Sequence, residues 1–172
     1  MNVIETLVSL FFVIVIAQIS HSIGKLADNK SLDVNTVLFI FYFILFRTKR
    51  YLDDLAISRN ILNDTNKAPL TYIFMLLCGI ITFIFWILAA MYIGELRFDT
   101  AYIMIMIAIS IDTLYVLSFS IVNKWHFLWC NILYISLAYI AFSHPIAAQL
   151  YLIAVTIVDW SIIRPHEIDK RS

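Results

Sequence analysis

Glycine, proline and cysteine are scarce in this sequence, with three, three and two among 172 residues. Each shortage narrows the reading. Cys78 and Cys130 sit inside apolar runs with no CxxC spacing, which excludes a disulfide framework, a redox pair or a zinc site and leaves two small hydrophobes. Pro69, Pro145 and Pro165 fall at segment edges. Secondary transporters commonly interrupt matching helices with Gly or Pro to expose coordinating backbone; no such interruption and no internal repeat is visible here. GxxxG is also missing, so helices are expected to pack through Ser, Thr, Ala and aromatic side chains.

Charge is equally sparse. Only 14% of residues are charged and the formal net charge is zero, so there is no global electrostatic signature of nucleic-acid binding and any anion site must be local. The histidines at 21, 126, 144 and 166 show no HxxxH or HExxH spacing and lie on different segments, which gives no basis for a metal site. GxSxG, a P-loop and a clustered acid pair are absent too, so neither an enzyme nor a cofactor is expected.

What the sequence has in abundance is hydrocarbon, with 62% apolar residues. A soluble fold of this size would have to leave large apolar patches in water, at about 25 cal/mol per Å². Lipid removes that cost. The expectation is an all-α, polytopic transmembrane bundle forming one integral membrane domain over 1–172, with six spans near 3–23, 33–46, 70–94, 100–122, 126–143 and 146–163. The first stretch lacks a positive n-region and carries Glu5 there, so it reads as a retained span and not as a secretory signal. Leu70 to Gly94 holds no charge, and Thr100 to Val122 holds only Asp112. Phe127 to Ile163 is too long for one span and breaks at Ser143, His144 and Pro145, predicting a helical hairpin. The second span is short: Val34 to Phe46 is clean before Arg47, and Arg47 is expected to snorkel while the helix continues as a cytoplasmic extension over 47–66.

Lys and Arg accumulate in cytoplasmic loops. Six spans put nine of them on one side and leave Lys25, Lys30 and Arg97 on the other, so both termini are expected in the cytoplasm of a cell with an inner membrane. Trp125 and Trp160 then fall at the inner interface.

Asp112 is the most informative side chain, because an ionised carboxylate in mid-span costs several kcal/mol. No cation is expected at its depth, so the acid should hold its proton and donate to Tyr115 or Asn131. Ser110, Thr113 and Ser120 are read as a weakly polar stripe flanking it, able to line a path or to glue helices together. Gln18 and His21, with His144 and Gln149, are expected around an outer vestibule or simply facing headgroups. In the extension, Lys49 with Asp53 and Arg50 with Asp54 form i,i+4 pairs. Tyr51, Leu55, Ser58 and Leu62 share one face, a docking surface or gate lever. Arg47, Lys49, Arg50 and Arg59 are the candidate basic site for a cytosolic protein or an anionic nucleotide or oligonucleotide, against the plainer reading of positive-inside topology. Asp159 is expected to pair with Arg164, Lys124 or His126.

Continuous helices and small loops suit the wall of a homo-oligomeric channel or pore-forming effector gated from the cytoplasm. The alternatives are a membrane sensor or anchor recruiting a cytosolic partner, and a small solute transporter or its subunit. Heavy isoleucine use suits an A/T-rich bacterial gene, a composition common in mobile elements and compatible with an effector of anti-phage defence.

Overall fold

The computed structural model describes residues 3–62, 69–118 and 124–168. These residues form six α-helices and no strand: α1 (Val3–Asp28), α2 (Val34–Leu62), α3 (Pro69–Gly94), α4 (Phe98–Ser118), α5 (Lys124–Ile140) and α6 (Pro145–Ile168). Two stretches, Glu5–Asp28 of α1 and Leu76–Gly94 of α3, are long and apolar enough to cross a membrane. The apolar stretches of α5 and α6, Phe127–Ile140 and Pro145–Ser161, are shorter.

The helices alternate in direction. Three described connections lie together at one end, here the turn end; the start of α1 and the finish of α6 define the opposite, termini end. Local chemistry explains each turn. At the close of α1, Ser31 N–H bonds Leu26 C=O (2.9 Å) and Lys30 N–H bonds Ala27 C=O (3.0 Å), with Lys30 left-handed at φ 53°. The close of α3 repeats this: Arg97 N–H bonds Tyr92 C=O (2.9 Å) and Leu96 N–H bonds Ile93 C=O (3.1 Å), with Leu96 at φ 58°. These paired bonds satisfy carbonyls that a helix end otherwise leaves open. Asp33 caps the start of α2 by accepting the Thr36 N–H at 2.7 Å, and that bond, with the Thr36 side chain, holds its carboxyl below the usual range. Between α5 and α6 the chain turns at residues 141–144 and restarts at Pro145, where a proline costs the helix nothing.

Neighbouring helices close a ring in the order α1, α3, α4, α5, α6, α2. Its centre is filled by aromatic side chains, half of them from α2. Phe39 stacks on Tyr102 at 4.4 Å, Phe43 meets the Trp86 ring edge-on at 5.7 Å, and Phe46 meets Tyr134 edge-on at 4.5 Å. All six are buried, and such pairs contribute about 0.5–1.5 kcal/mol beyond their buried area. Small residues let α1 and α3 approach closely. Ser22 donates to the Ala90 carbonyl at 2.8 Å, and a Cβ on Gly94 would lie 2.6 Å from Ser22 Oγ.

The outward face is apolar. Leu10, Val13, Val34, Leu77, Leu114, Trp129, Leu150 and Val158 are all exposed, and of the apolar stretch in α1 only 17% is buried.

The expected extension of the second helix over 47–66 meets one finding: α2 runs on as one helix of 29 residues, about 43 Å long, and Arg47, Lys49 and Arg50 are buried inside the ring, while the side chains of 56–62 and all of 63–66 lie outside the described residues. The reason is register. Phe39, Phe43, Phe46 and Arg50 fall at i, i+4, i+7 and i+11, so the stripe that buries the rings carries the next polar residues inward as well.

Candidate functional site

A layer of ionisable side chains crosses the ring below the aromatic fill. Asn131 marks its depth, seven residues after Lys124, or about 10 Å from the termini end of α5. From α2 come Arg47, Lys49, Arg50, Asp53 and Asp54; from α4, Asp112; from α6, Asp159. Arg47, Lys49 and Arg50 are only 1%, 3% and 2% exposed. An unpaired cation in such a place costs several kcal/mol, so the arrangement around each one decides whether the layer is stable.

Lys49 sits between two carboxylates, donating to Asp53 at 2.7 Å and reaching Asp159 at 2.6 Å. Asp159 also accepts from the Tyr134 hydroxyl (3.1 Å) and the Cys130 thiol (3.6 Å). Arg47 reaches Asp54 at 3.4 Å and lies against the rings of Phe83 (4.6 Å), Trp86 (5.7 Å) and Phe12 (6.0 Å). Arg50 donates to the Asn131 carbonyl oxygen and lies against Phe127 (4.7 Å), Phe46 (5.1 Å) and Tyr134 (5.9 Å). Ring faces carry negative potential, and a desolvated cation over one gains about 2 kcal/mol. Two mechanisms therefore share the work: carboxylates neutralise, and aromatic faces solvate.

The Asn131 amide is oriented by a hydroxyl on α4. Its NH₂ donates to Thr113 Oγ1 at 2.8 Å, and that hydroxyl donates on to the Ile109 carbonyl at 2.8 Å. The chain from Arg50 to α4 thus has one consistent donor direction. Asp112 accepts from Thr82 at 3.2 Å and has Arg50 and Arg47 as its cationic neighbours, with Asp54 also close.

Several expectations change here. Asp112 does not lack a cation at its depth; α2 brings two, because the second helix reaches further along the bundle than a 33–46 span allows. Its hydroxyl partner is Thr82, Asn131 is engaged by Arg50 and Thr113, and the Tyr115 side chain lies outside the described residues. The expected polar stripe of α4 splits. Thr113 turns to Asn131, whereas Ser110 is exposed and donates to Met106 C=O at 2.8 Å; Ser120 lies outside the described residues. Positions three apart diverge by about 60° around a helix, enough to put one inside and the other outside. Arg47, Lys49 and Arg50 are not an open basic surface for a protein or nucleotide, since burial closes them off; the Arg59 side chain is outside the described residues. The expected lever face is also occupied at its start, where Tyr51 hydrogen-bonds Ser9 (3.1 Å) and stacks on Phe12 (4.2 Å). Asp159 has Lys49 as a partner, while the side chains of the expected Arg164, Lys124 and His126 lie outside the described residues. The i,i+4 bond of Lys49 to Asp53 forms as its spacing implies.

The vestibule residues separate. Gln18 is half-buried, His21 and His144 are exposed, and Gln149 is fully buried, donating to Asn35 at 2.9 Å. Thr82, Trp86 and Tyr134 border the ion layer, touching Asp112, Arg47 and Asp159 respectively, and Tyr42 is buried one helical stretch above it; sequence reasoning singled out none of the four. Their signal is present: all lie on faces continuous with buried rings. Among the described residues no three His, Cys, Asp or Glu side chains converge to hold a metal ion. No family model, curated protein or solved structure matches this chain.

Proposed function

We propose that the chain is a non-enzymatic, six-span protein of a bacterial inner membrane, both termini cytoplasmic, that assembles with copies of itself into an ion channel. One observation carries this reading: large apolar side chains face outward along the helices while Arg47, Lys49, Arg50 and Asp159 are buried inside, a distribution that a soluble domain avoids. Spanning is supported by the up-and-down order of helices that each satisfy their own backbone, as oil demands. Of the helices that fall short on length or composition, α2 carries Arg47, Lys49 and Arg50 inward and α6 carries Asp159 inward. There the protein, and not lipid, surrounds them.

Ionisable residues within spans mark ion pathways by default. The aromatic fill leaves no route for a hydrated ion through a single ring, so conduction would run between copies. Asp112 suits that route, being a member of the ion layer that is only partly buried. The layer itself would act as the gate, since shifting α2 exchanges its ion pairs. Recruitment of a partner by the basic cluster is less favoured, because that cluster is closed off.

The test is flux through phospholipid vesicles containing the purified chain. Asp112→Asn is expected to change potassium flux while leaving particle size in detergent unchanged. Wild-type flux in the variant would remove Asp112 from the path, and no flux from the wild-type chain would remove the channel.

A further inference from the structure

The apolar height of the bundle differs from one edge to the other. In the ring of helices α5 stands opposite α1. The apolar stretch of α1, Glu5–Asp28, has 24 residues, about 36 Å, and its uncharged part, 6–24, alone reaches about 28 Å. Its neighbour α3 has 19 residues in Leu76–Gly94, again about 28 Å. The stretch in α5, Phe127–Ile140, reaches only about 21 Å, and Pro145–Ser161 of α6 about 26 Å. A hydrocarbon core is about 30 Å thick. The α1 and α3 edge matches it, whereas α5 falls short by about 9 Å.

A second observation comes from the side chains. Trp125, Trp129, Ile132 and Tyr139 recur at helical spacing on the outward face of α5, and the three aromatic residues are 66%, 67% and 70% exposed, so their rings point away from the bundle. Trp125 lies at the termini end of this helix and Tyr139 at its turn end, about 21 Å apart, with the exposed aliphatic Ile132 and Leu133 between them. Trp and Tyr collect where hydrocarbon meets headgroups, and this face carries them at both rims of its short apolar band. The outward face of α1 is different, with aliphatic Leu10, Val13 and Ile14 exposed. An over-long helix adapts to a bilayer by tilting, but tilt only shortens a short one further. Either lipid thins along α5 or a second copy covers it, and aromatic rims around an aliphatic band favour lipid.

We propose that the outward face of α5 is a lipid-binding surface for phospholipids with short acyl chains, along which the bilayer thins, while α1 and α3 keep lipid of ordinary thickness. Headgroups beside α5 lie level with Trp125 on one side and Tyr139 on the other. The chain is thus a wedge in the membrane, and its two edges select different lipids. This inference rests on the spanning part of the preceding reading, but not on assembly into a channel.

Tryptophan quenching by brominated lipid tests it, with the full chain in phosphatidylcholine vesicles. A Trp160→Phe chain reports α5 through Trp125 and Trp129, because the remaining Trp86 is fully buried. A second chain, with Trp125→Phe, Trp129→Phe, Trp160→Phe and Val13→Trp, reports α1; Ile14→Trp replaces Val13→Trp if that chain does not fold by circular dichroism. A brominated 18-carbon lipid competes with unbrominated lipids of 14, 18 or 22 carbons. At α5 the 14-carbon lipid is expected to displace the brominated one at least about twofold better than the 22-carbon lipid does, because mismatch costs grow with every ångström. At α1 the 18-carbon lipid should displace it better than the 14-carbon lipid. Ser143→Leu with His144→Leu, two exposed positions at the turn, lengthens the α5 band and should move the α5 optimum alone toward longer chains. One optimum at both reporters, or an α5 optimum that the lengthened chain leaves in place, overturns the wedge. Quenching at α1 without quenching at α5 overturns it too, by showing that another copy covers α5. Absence of quenching at both reporters contradicts the spanning reading itself.

Discussion

Two layers of this bundle are packed by opposite means. Toward the turn end the ring is filled by Phe39, Phe43 and Tyr102, and the chain reverses there through tightly bonded turns. Toward the termini the same helix faces carry Arg47, Lys49 and Arg50 with their carboxylates. The rings are stable almost wherever they are enclosed. The ions are stable only as a set. In the ion layer, therefore, single substitutions should be costly out of proportion to the atoms removed, whereas at the turn end cost should follow volume and backbone geometry.

The sharpest way to break that contrast is Lys49→Met, which leaves Asp53 and Asp159 facing each other. Removing one partner of a buried pair costs about 3–5 kcal/mol, so a large fall in detergent melting temperature is expected. Adding Asp159→Asn should recover part of it, and failure to recover would show that the two residues are not coupled.

Gly94→Ala comes next, at the turn end. The new Cβ would sit 2.6 Å from Ser22 Oγ and 3.2 Å from the Ser22 Cα, and overpacking of that kind costs about 1–3 kcal/mol. Ser22→Gly in the same chain should restore stability. A wild-type melt for Gly94→Ala alone would mean that α1 and α3 are further apart than described.

The same two layers differ in how legible they are from sequence. The hairpin at Pro145 and the unbroken α3 follow from composition and from proline chemistry, because both are local. The ion layer is not legible in that way. Arg47 reads as the point where a span stops, since hydropathy counts residues and not faces; only the i, i+4, i+7 continuity of Phe39, Phe43 and Phe46 into Arg50 reveals that the cations turn inward. Lys49 with Asp53 is visible as a local pair, while Asp159 and Asn131 depend on which helices become neighbours, a tertiary fact that periodicity does not carry. Ser110 and Thr113 differ for the same reason.

Smaller effects test the turn end alone. Asp33→Ala removes the cap of α2 and should cost about 1 kcal/mol. Because hydrogen bonds to Thr36 hold the Asp33 carboxyl below its ordinary value of 3.8, the folded group binds its proton less readily than the unfolded one. Its contribution is complete above the unfolded value and disappears as pH falls through the lower, folded one. The difference between wild type and Asp33→Ala should thus shrink in acid below about pH 4, as read by parallel melts. Leu96→Gly should stabilise slightly, by about 0.5–1 kcal/mol, since glycine relieves the left-handed strain at φ 58° but gives back part of that in unfolded-state entropy.

The central claim is that charged interior and apolar exterior belong to a chain that threads a bilayer six times. Single cysteines at Lys30, Leu96 and Ser143, in a background where Cys78 and Cys130 are replaced by serine, test it in intact cells with a membrane-impermeant maleimide. All three should be labelled from outside, whereas a cysteine added at residue 2 should react only after the cells are opened. Protection of Leu96 or Ser143 in intact cells, or recovery of the chain in the soluble fraction, would contradict the account.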